Sequence, residues 1–187
     1  ILRFYLMNKV NNCKSILSDD TYKLLDDEIN SHKYINNYPF EHTVIDNFLN
    51  EETYKLLVDF VKNKKPEDYN RSKKAKKTTA NKFAYNLINE FPENIKNVFE
   101  ILNDNDFVKK LEKFTGIKNL IKNNISLNGA GFHKITKDGL LEMHTDFNNY
   151  NESFCSLDRR INILIYLNPN WKKEYGGELY LANKENK

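Results

Sequence analysis

In EMHTDF, residues 142–147, a histidine and an aspartate stand one residue apart. Alternation along a strand puts residues i and i+2 on one face, so His144 and Asp146 are expected to point the same way, with Thr145 opposite. A neutral imidazole nitrogen and a carboxylate oxygen converging from one strand can supply two ligands on one side of a divalent metal. The chain has only four histidines, so one of them here raises the question of a metal site. The pair alone is weak: a surface histidine beside a strand-end aspartate looks the same in sequence.

The segments around the pair give it a context. From about residue 124, short apolar runs are separated by Gly, Asn, Asp and Pro: ISLNGAGFHKI, GLLEMHTDF, RRINILIYLN and GGELYLA. That texture predicts a series of strands and turns, as in a sandwich or barrel. In RRINILIYLNPNW, Ile161, Ile163, Ile165 and Leu167 would take one face, and Asn162, Leu164 and Tyr166 the other. Large residues on both faces predict a strand buried on both sides, with the Tyr166 hydroxyl carried into an apolar interior where it needs a partner. NPNW and EYGGEL read as turns.

The first two-thirds of the chain must supply the scaffold. SDDTYKLLDDEIN predicts a helix capped by Ser18, and HTVIDNF (42–48) predicts a strand. Asn50 is the expected cap of EETYKLLVDFVKN, where Tyr54, Leu57, Val58 and Val61 recur at helical spacing. Residues 62–82, KNKKPEDYNRSKKAKKTTANK, read as a polar, lysine-heavy, solvated loop that could serve as a lid, with a basic arm gripping phosphate or an acidic substrate as the lesser alternative. FPENIKNVFEILN predicts a helix with Pro92 at its first position, and NDFVKKLEKFTG one that ends on Gly116.

Size and composition narrow the classes. The 187 residues, 40% of them hydrophobic and 13% aromatic, can bury a real core. A net charge of +3 makes no demand for nucleic acid. Cys13 and Cys155 form no CxxC motif or disulfide framework, which makes a reducing cytoplasm the default. No apolar run reaches the roughly 18 residues a membrane span needs.

Taken in order, FEHTVIDNFLN, FVKKLEKFTGIKNLI, NGAGFHKITKDGLLEMHTDFN, RRINILIYLNPNW and YGGELYL resemble the prolyl 4-hydroxylase-like branch of the 2-oxoglutarate and Fe(II)-dependent oxygenases, over residues 38–182. The resemblance implies an α+β chain: a double-stranded β-helix (jelly roll, cupin-like) over 38–187, with N-terminal helices packed on one sheet and residues 1–37 as a helical extension. It implies that His144 and Asp146 are iron ligands and that no catalytic residue beyond the ligands is required. By the same resemblance Tyr166 binds 2-oxoglutarate, with Asn162 lining that pocket and His133 as a further pocket residue. Fe(II) and 2-oxoglutarate are the implied cofactors, with ascorbate as an accessory.

The family's third ligand is a histidine beyond the GGEL strand, followed by a basic residue for the co-substrate. His32, His42 and His133 do not fall there, and the sequence ends at Lys187. The expectation is therefore a C-terminally incomplete domain that holds metal weakly or not at all, with strand edges open to homo-oligomer formation. The implied reaction hydroxylates a prolyl or similar side chain of a peptide, or a small molecule, while 2-oxoglutarate is decarboxylated to succinate. The alternatives are a non-catalytic jelly-roll binding module and a cupin-like metal lyase or isomerase.

Overall fold

Ser18 opens the first helix, as its sequence predicts. Its hydroxyl accepts a hydrogen bond from the Thr21 amide at 3.1 Å, and Asp19 and Asp20 sit in the first turn of α1 (Asp19–Leu24), where the helix dipole favours them. The computed structural model describes residues 15–27, 34, 37–76, 79–123, 126, 127, 129–146, 149–152, 155–183 and 185. Cys13 and His32 lie outside the described residues.

Three more helices follow the same local rules. Asn50 caps α2 (Glu51–Lys62) by accepting from the Thr53 amide at 2.8 Å. Pro92 stands one position before α3 (Glu93–Ile101), at the cap, and its carbonyl accepts from the amides of Ile95 and Lys96. Asp104 caps α4 (Asn105–Thr115), and Gly116 ends it in the left-handed conformation at φ 72°. The predicted strand over 42–48 does not form. Instead Leu17 and Leu49 make a single antiparallel bridge, with the Asn50 amide donating to the Ile16 carbonyl at 2.9 Å. Among the described residues no strand pairs with the β-branched residues of HTVIDNF, and propensity alone does not make one.

Residues 62–82 correct the sequence reading more sharply. They are not a loop: a 3-10 turn at Pro66–Asp68 leads into β1 (Arg71–Lys76), which pairs antiparallel with β2 (Thr79–Tyr85). The chain's lysines are partly structural here. The Lys64 ammonium sits 4.7 Å from the Phe60 ring centroid and 4.3 Å from that of Tyr85, and Lys134 donates to the Lys64 carbonyl at 2.7 Å.

β3 (Phe132–Leu141) completes an antiparallel sheet of order β1-β2-β3. Its register breaks once: Lys82 faces Ile135 and Ala80 faces Leu140, so Asn81 alone spans Thr136–Gly139. Asn81 and Asp138 both adopt positive φ there, at 50° and 61°. After this bulge Leu140 and Leu141 rejoin the ladder opposite Ala80 and Thr79.

The core lies between the helices and one face of this sheet. Phe60 of α2 meets Phe132 of β3 at 5.2 Å between centroids and Phe91 at 5.9 Å, and Phe99 of α3 meets Phe132 at 5.5 Å. Burying each such ring contributes roughly 1.5–3 kcal/mol. Beyond β3 the described strands are only β4 (Asn149–Glu152) and β5 (Cys155–Asp158), a hairpin in which Asn149 faces Asp158. The fold is thus mixed helix and antiparallel sheet. Among the described residues, 142–146, 159–168 and 177–182 carry no strand pairing, contrary to the strands predicted there. Extended sequence needs a hydrogen-bonded neighbour to become a strand, and the described residues provide none for these segments.

Candidate metal centre

The sheet delivers the His-Asp pair by ending just before it. Leu141 is the last residue of β3, so His144 and Asp146 lie on the segment that leaves the sheet, not on a strand as predicted. The two side chains nonetheless converge: His144 Nε2 is 3.5 Å from Asp146 Oδ1, both about half exposed. On its other side the imidazole is fixed by the Glu142 carbonyl, 2.6 Å from Nδ1. A carbonyl can only accept, so Nδ1 carries the proton, and Nε2 of the neutral ring turns a lone pair toward a carboxylate.

Two acceptors facing one another at that distance call for a shared cation. A proton on Nε2 makes an ion pair. A divalent metal is the other solution, since nitrogen and oxygen donors 3.5 Å apart can both reach one ion at ligand distances of about 2.0–2.2 Å. The Nδ1–H bond to a backbone carbonyl is also the usual support that orients a ligating histidine. The donor chemistry therefore fits two ligands. Among the described residues no group of three or more His, Cys, Asp and Glu side chains comes together to hold a metal.

The second oxygen of Asp146 is held by the chain itself. Arg159 Nη1 makes an ion pair with Oδ2 at 2.9 Å, and Asn162 Nδ2 donates to the same oxygen at 3.4 Å. Arg159 is largely buried, its side chain only 15% exposed. The β4–β5 hairpin makes this meeting: antiparallel pairing of Asn149 with Asp158, reinforced by Asn149 Nδ2 donating to Asp158 Oδ1 at 2.8 Å, returns the chain so that 159–162 lie beside 146. Arg159 escaped the sequence reading. The Arg159–Arg160 pair just before an apolar run was the available signal, since a cation next to such a run needs a carboxylate.

The other predicted residues are distributed differently. In 161–168 burial does alternate: Ile165 is buried, Ile163 and Leu167 pack on the core, and Asn162 and Tyr166 are exposed. Tyr166 therefore does not enter an apolar interior. It is 53% exposed, and the partial burial it keeps pushes its phenol above the ordinary value. The two-faced burial expected of this segment fails because nothing among the described residues covers the Asn162–Tyr166 side. His133 is half-buried and paired with Ala84, at the opposite end of β3 from the His144–Asp146 turn.

Among the described residues no helix is long and apolar enough to cross a membrane. No curated protein and no solved structure matches this chain. Residues 130–187 match the family described as the 2OG-Fe(II) oxygenase superfamily, a span that begins just before β3 and contains the His-Asp pair, Arg159, Asn162 and Tyr166. That match supports the superfamily, and with it an oxygenase function in general and the use of Fe(II) and 2-oxoglutarate.

Proposed function

We propose that the protein is a 2-oxoglutarate- and Fe(II)-dependent dioxygenase that hydroxylates a prolyl or similar side chain, built on a jelly roll to which the β1–β3 sheet contributes. The observation that carries this reading is the convergence of His144 Nε2 and Asp146 Oδ1 at 3.5 Å, inside the segment similar to the superfamily. His144 and Asp146 hold the iron. Arg159 and Asn162 fix the second carboxylate oxygen of Asp146, leaving Oδ1 turned to His144. Tyr166, on the same side of its segment as Asn162, offers its hydroxyl to 2-oxoglutarate. When bound, iron and 2-oxoglutarate supply the oxidising chemistry, with the co-substrate decarboxylated to succinate.

A second reading is a jelly-roll module that binds without turnover. It is favoured by one observation, that two donors rather than three converge among the described residues. Co(II) titration followed by its visible absorption separates the readings in part. His144→Ala is expected to weaken Co(II) binding at least about tenfold, as removal of even supporting groups does at metal sites. Equal binding by both proteins would remove the site. Succinate formation from 2-oxoglutarate by the protein, abolished by His144→Ala, supports the enzyme; metal binding without any succinate supports the module.

A further inference from the structure

The segment 37–42 is locked by its own polar groups. Asn37 Nδ2 donates to the His42 carbonyl at 2.6 Å, and His42 Nδ1 donates to the Phe40 carbonyl at 2.8 Å, since a carbonyl can only accept. The Asn37 amide donates to the Tyr34 carbonyl at 3.3 Å, and the Tyr34 ring lies 5.6 Å from that of Phe114 in α4. The Tyr38 hydroxyl accepts from Asn183 Nδ2 at 2.7 Å. These contacts fasten the segment that carries Pro39, Phe40 and Glu41 to the core. Left-handed Gly116 ends α4 and turns the chain to Ile117.

A cavity of about 560 Å³ lies where these stretches meet Arg160. Tyr34, Pro39, Phe40 and Ile117 give it apolar surface, and Glu41 and Arg160 give it one charge of each sign. A cavity of this size suits a small organic molecule. Burial first, then the charge of Glu41, pushes the Tyr34 phenol above its ordinary value, so it stays a neutral hydroxyl close to the Glu41 carboxylate. Arg160 directly follows Arg159, whose guanidinium pairs with Asp146, but neither His144 nor Asp146 lines the cavity.

The two charges select the ligand. A simple carboxylate suits the guanidinium fork but brings its charge to Glu41, and a simple amine suits Glu41 but is repelled by Arg160. A phosphate or 2-oxoglutarate, with two negative charges, meets Glu41 still less well. A molecule that carries a carboxylate and an ammonium on an apolar body satisfies both charges and covers the apolar wall.

We propose that this cavity binds a small apolar zwitterion, a free amino acid or a dipeptide, with its carboxylate on Arg160, its ammonium on Glu41 and its side chain against Phe40 and Ile117. The site does not depend on the oxygenase reading above.

L-Phenylalanine and L-leucyl-L-phenylalanine are the probes, each titrated into the isotope-labelled 187-residue chain and followed by amide correlation spectra. Saturable shifts centred on the amides of Phe40, Glu41, Ile117 and Arg160 are expected, with Kd on the order of 1 mM for at least one probe. The tighter probe tells amino acid from dipeptide. N-acetylation, which removes the ammonium, and amidation, which removes the carboxylate, are each expected to cost at least about tenfold. Arg160→Gln and Glu41→Gln should cost as much, with circular dichroism unchanged because both side chains are exposed. His144→Ala should bind the probes as the wild type does.

Capped probes that bind as well as the free ones reduce the cavity to an apolar cleft and overturn the proposal. Displacement of a bound probe by an equal concentration of 2-oxoglutarate makes Arg160 a co-substrate residue and overturns it too. Absent shifts with both probes in a protein that still binds Co(II) through His144 defeat this inference and leave the oxygenase reading standing; probe binding with no Co(II) site does the reverse.

Discussion

Residues 83–132 and residues 135–181 are both rich in large apolar side chains, yet they end in opposite environments. Phe83, Tyr85, Phe91, Phe99, Phe107 and Phe132 are all less than 10% exposed, whereas Met143, Tyr166, Trp171, Leu179 and Tyr180 range from 45% to 73%. Hydropathy does not separate the two groups. What separates them is the supply of neighbours: the first region contains helices that close on the sheet beside it, while in the second, apart from Ile163, Ile165 and Leu167, little among the described residues covers the large apolar side chains. The His144–Asp146 pair lies in the second region, just past the last rung of the first. Its geometry is held by a hairpin and one arginine rather than by a packed layer.

The comparison makes its largest claim about stability. Phe99 is fully buried among Phe91 and Phe132. Phe99→Ala is expected to cost about 3–5 kcal/mol in urea unfolding, while Tyr180→Ala, at 73% exposure, changes stability by less than about 0.5 kcal/mol. Comparable losses at both positions would mean that the C-terminal segment is covered, and the contrast would collapse.

An intermediate effect is expected at the junction. Gly131, just ahead of β3, has φ 108°, and a Cβ there would collide with the Tyr85 carbonyl oxygen and meet the Asn86 Cβ at 2.9 Å. Gly131→Ala should cost about 2–3 kcal/mol by thermal unfolding and weaken Co(II) binding with it, because the strand that leads to the pair is displaced. Loss of stability with untouched metal affinity would show the site to be independent of the sheet.

The smallest effect tests how the N-terminal helix is fastened to the packed half. The Lys110 ammonium, 10% exposed, is bound to the Asp26 carboxylate and lies 3.9 Å from the Tyr22 ring centroid. That hydrogen bond first, then the charges of Lys110 and Lys113, hold the Asp26 carboxyl below its ordinary value against the opposing effect of burial. Asp26→Asn should cost about 1–2 kcal/mol at pH 7, less than a fully buried pair because Asp26 itself is partly solvated. A folded-state value below the unfolded one, about 3.9, stabilises above that pH and is lost as pH falls through the folded value. The difference between wild type and Asp26→Asn should therefore be flat from pH 7 to about 5 and shrink below about pH 4. A difference that persists undiminished into acid would show that charge is not what fastens the helix.

Local chemistry made the helices legible in the sequence. Ser18, Asn50 and Gly116 each mark a boundary by bonding to, or turning, the few residues beside them, and each does so in the fold; the Asp104 cap was seen only in the structure. The lysine-rich hairpin was not legible, because composition says nothing about the strand that will pair with it. Strand 42–48 failed for the same reason in reverse: suitable residues found no ladder among the described residues.

Within the site, spacing alone put His144 and Asp146 together, since two residues apart they can hardly be far from one another. The Glu142 carbonyl, only two residues back, fixes the imidazole tautomer, but the rest of what qualifies the pair came from the tertiary structure. The β4–β5 hairpin brings Arg159 and Asn162 back across the intervening residues to Asp146, and one side of the 161–168 segment packs on the core while Tyr166 stays at the surface. Caps, turns and two-residue spacings are short-range energies that a sequence states directly, whereas burial and ion pairing depend on contacts between distant residues that only the folded chain brings about.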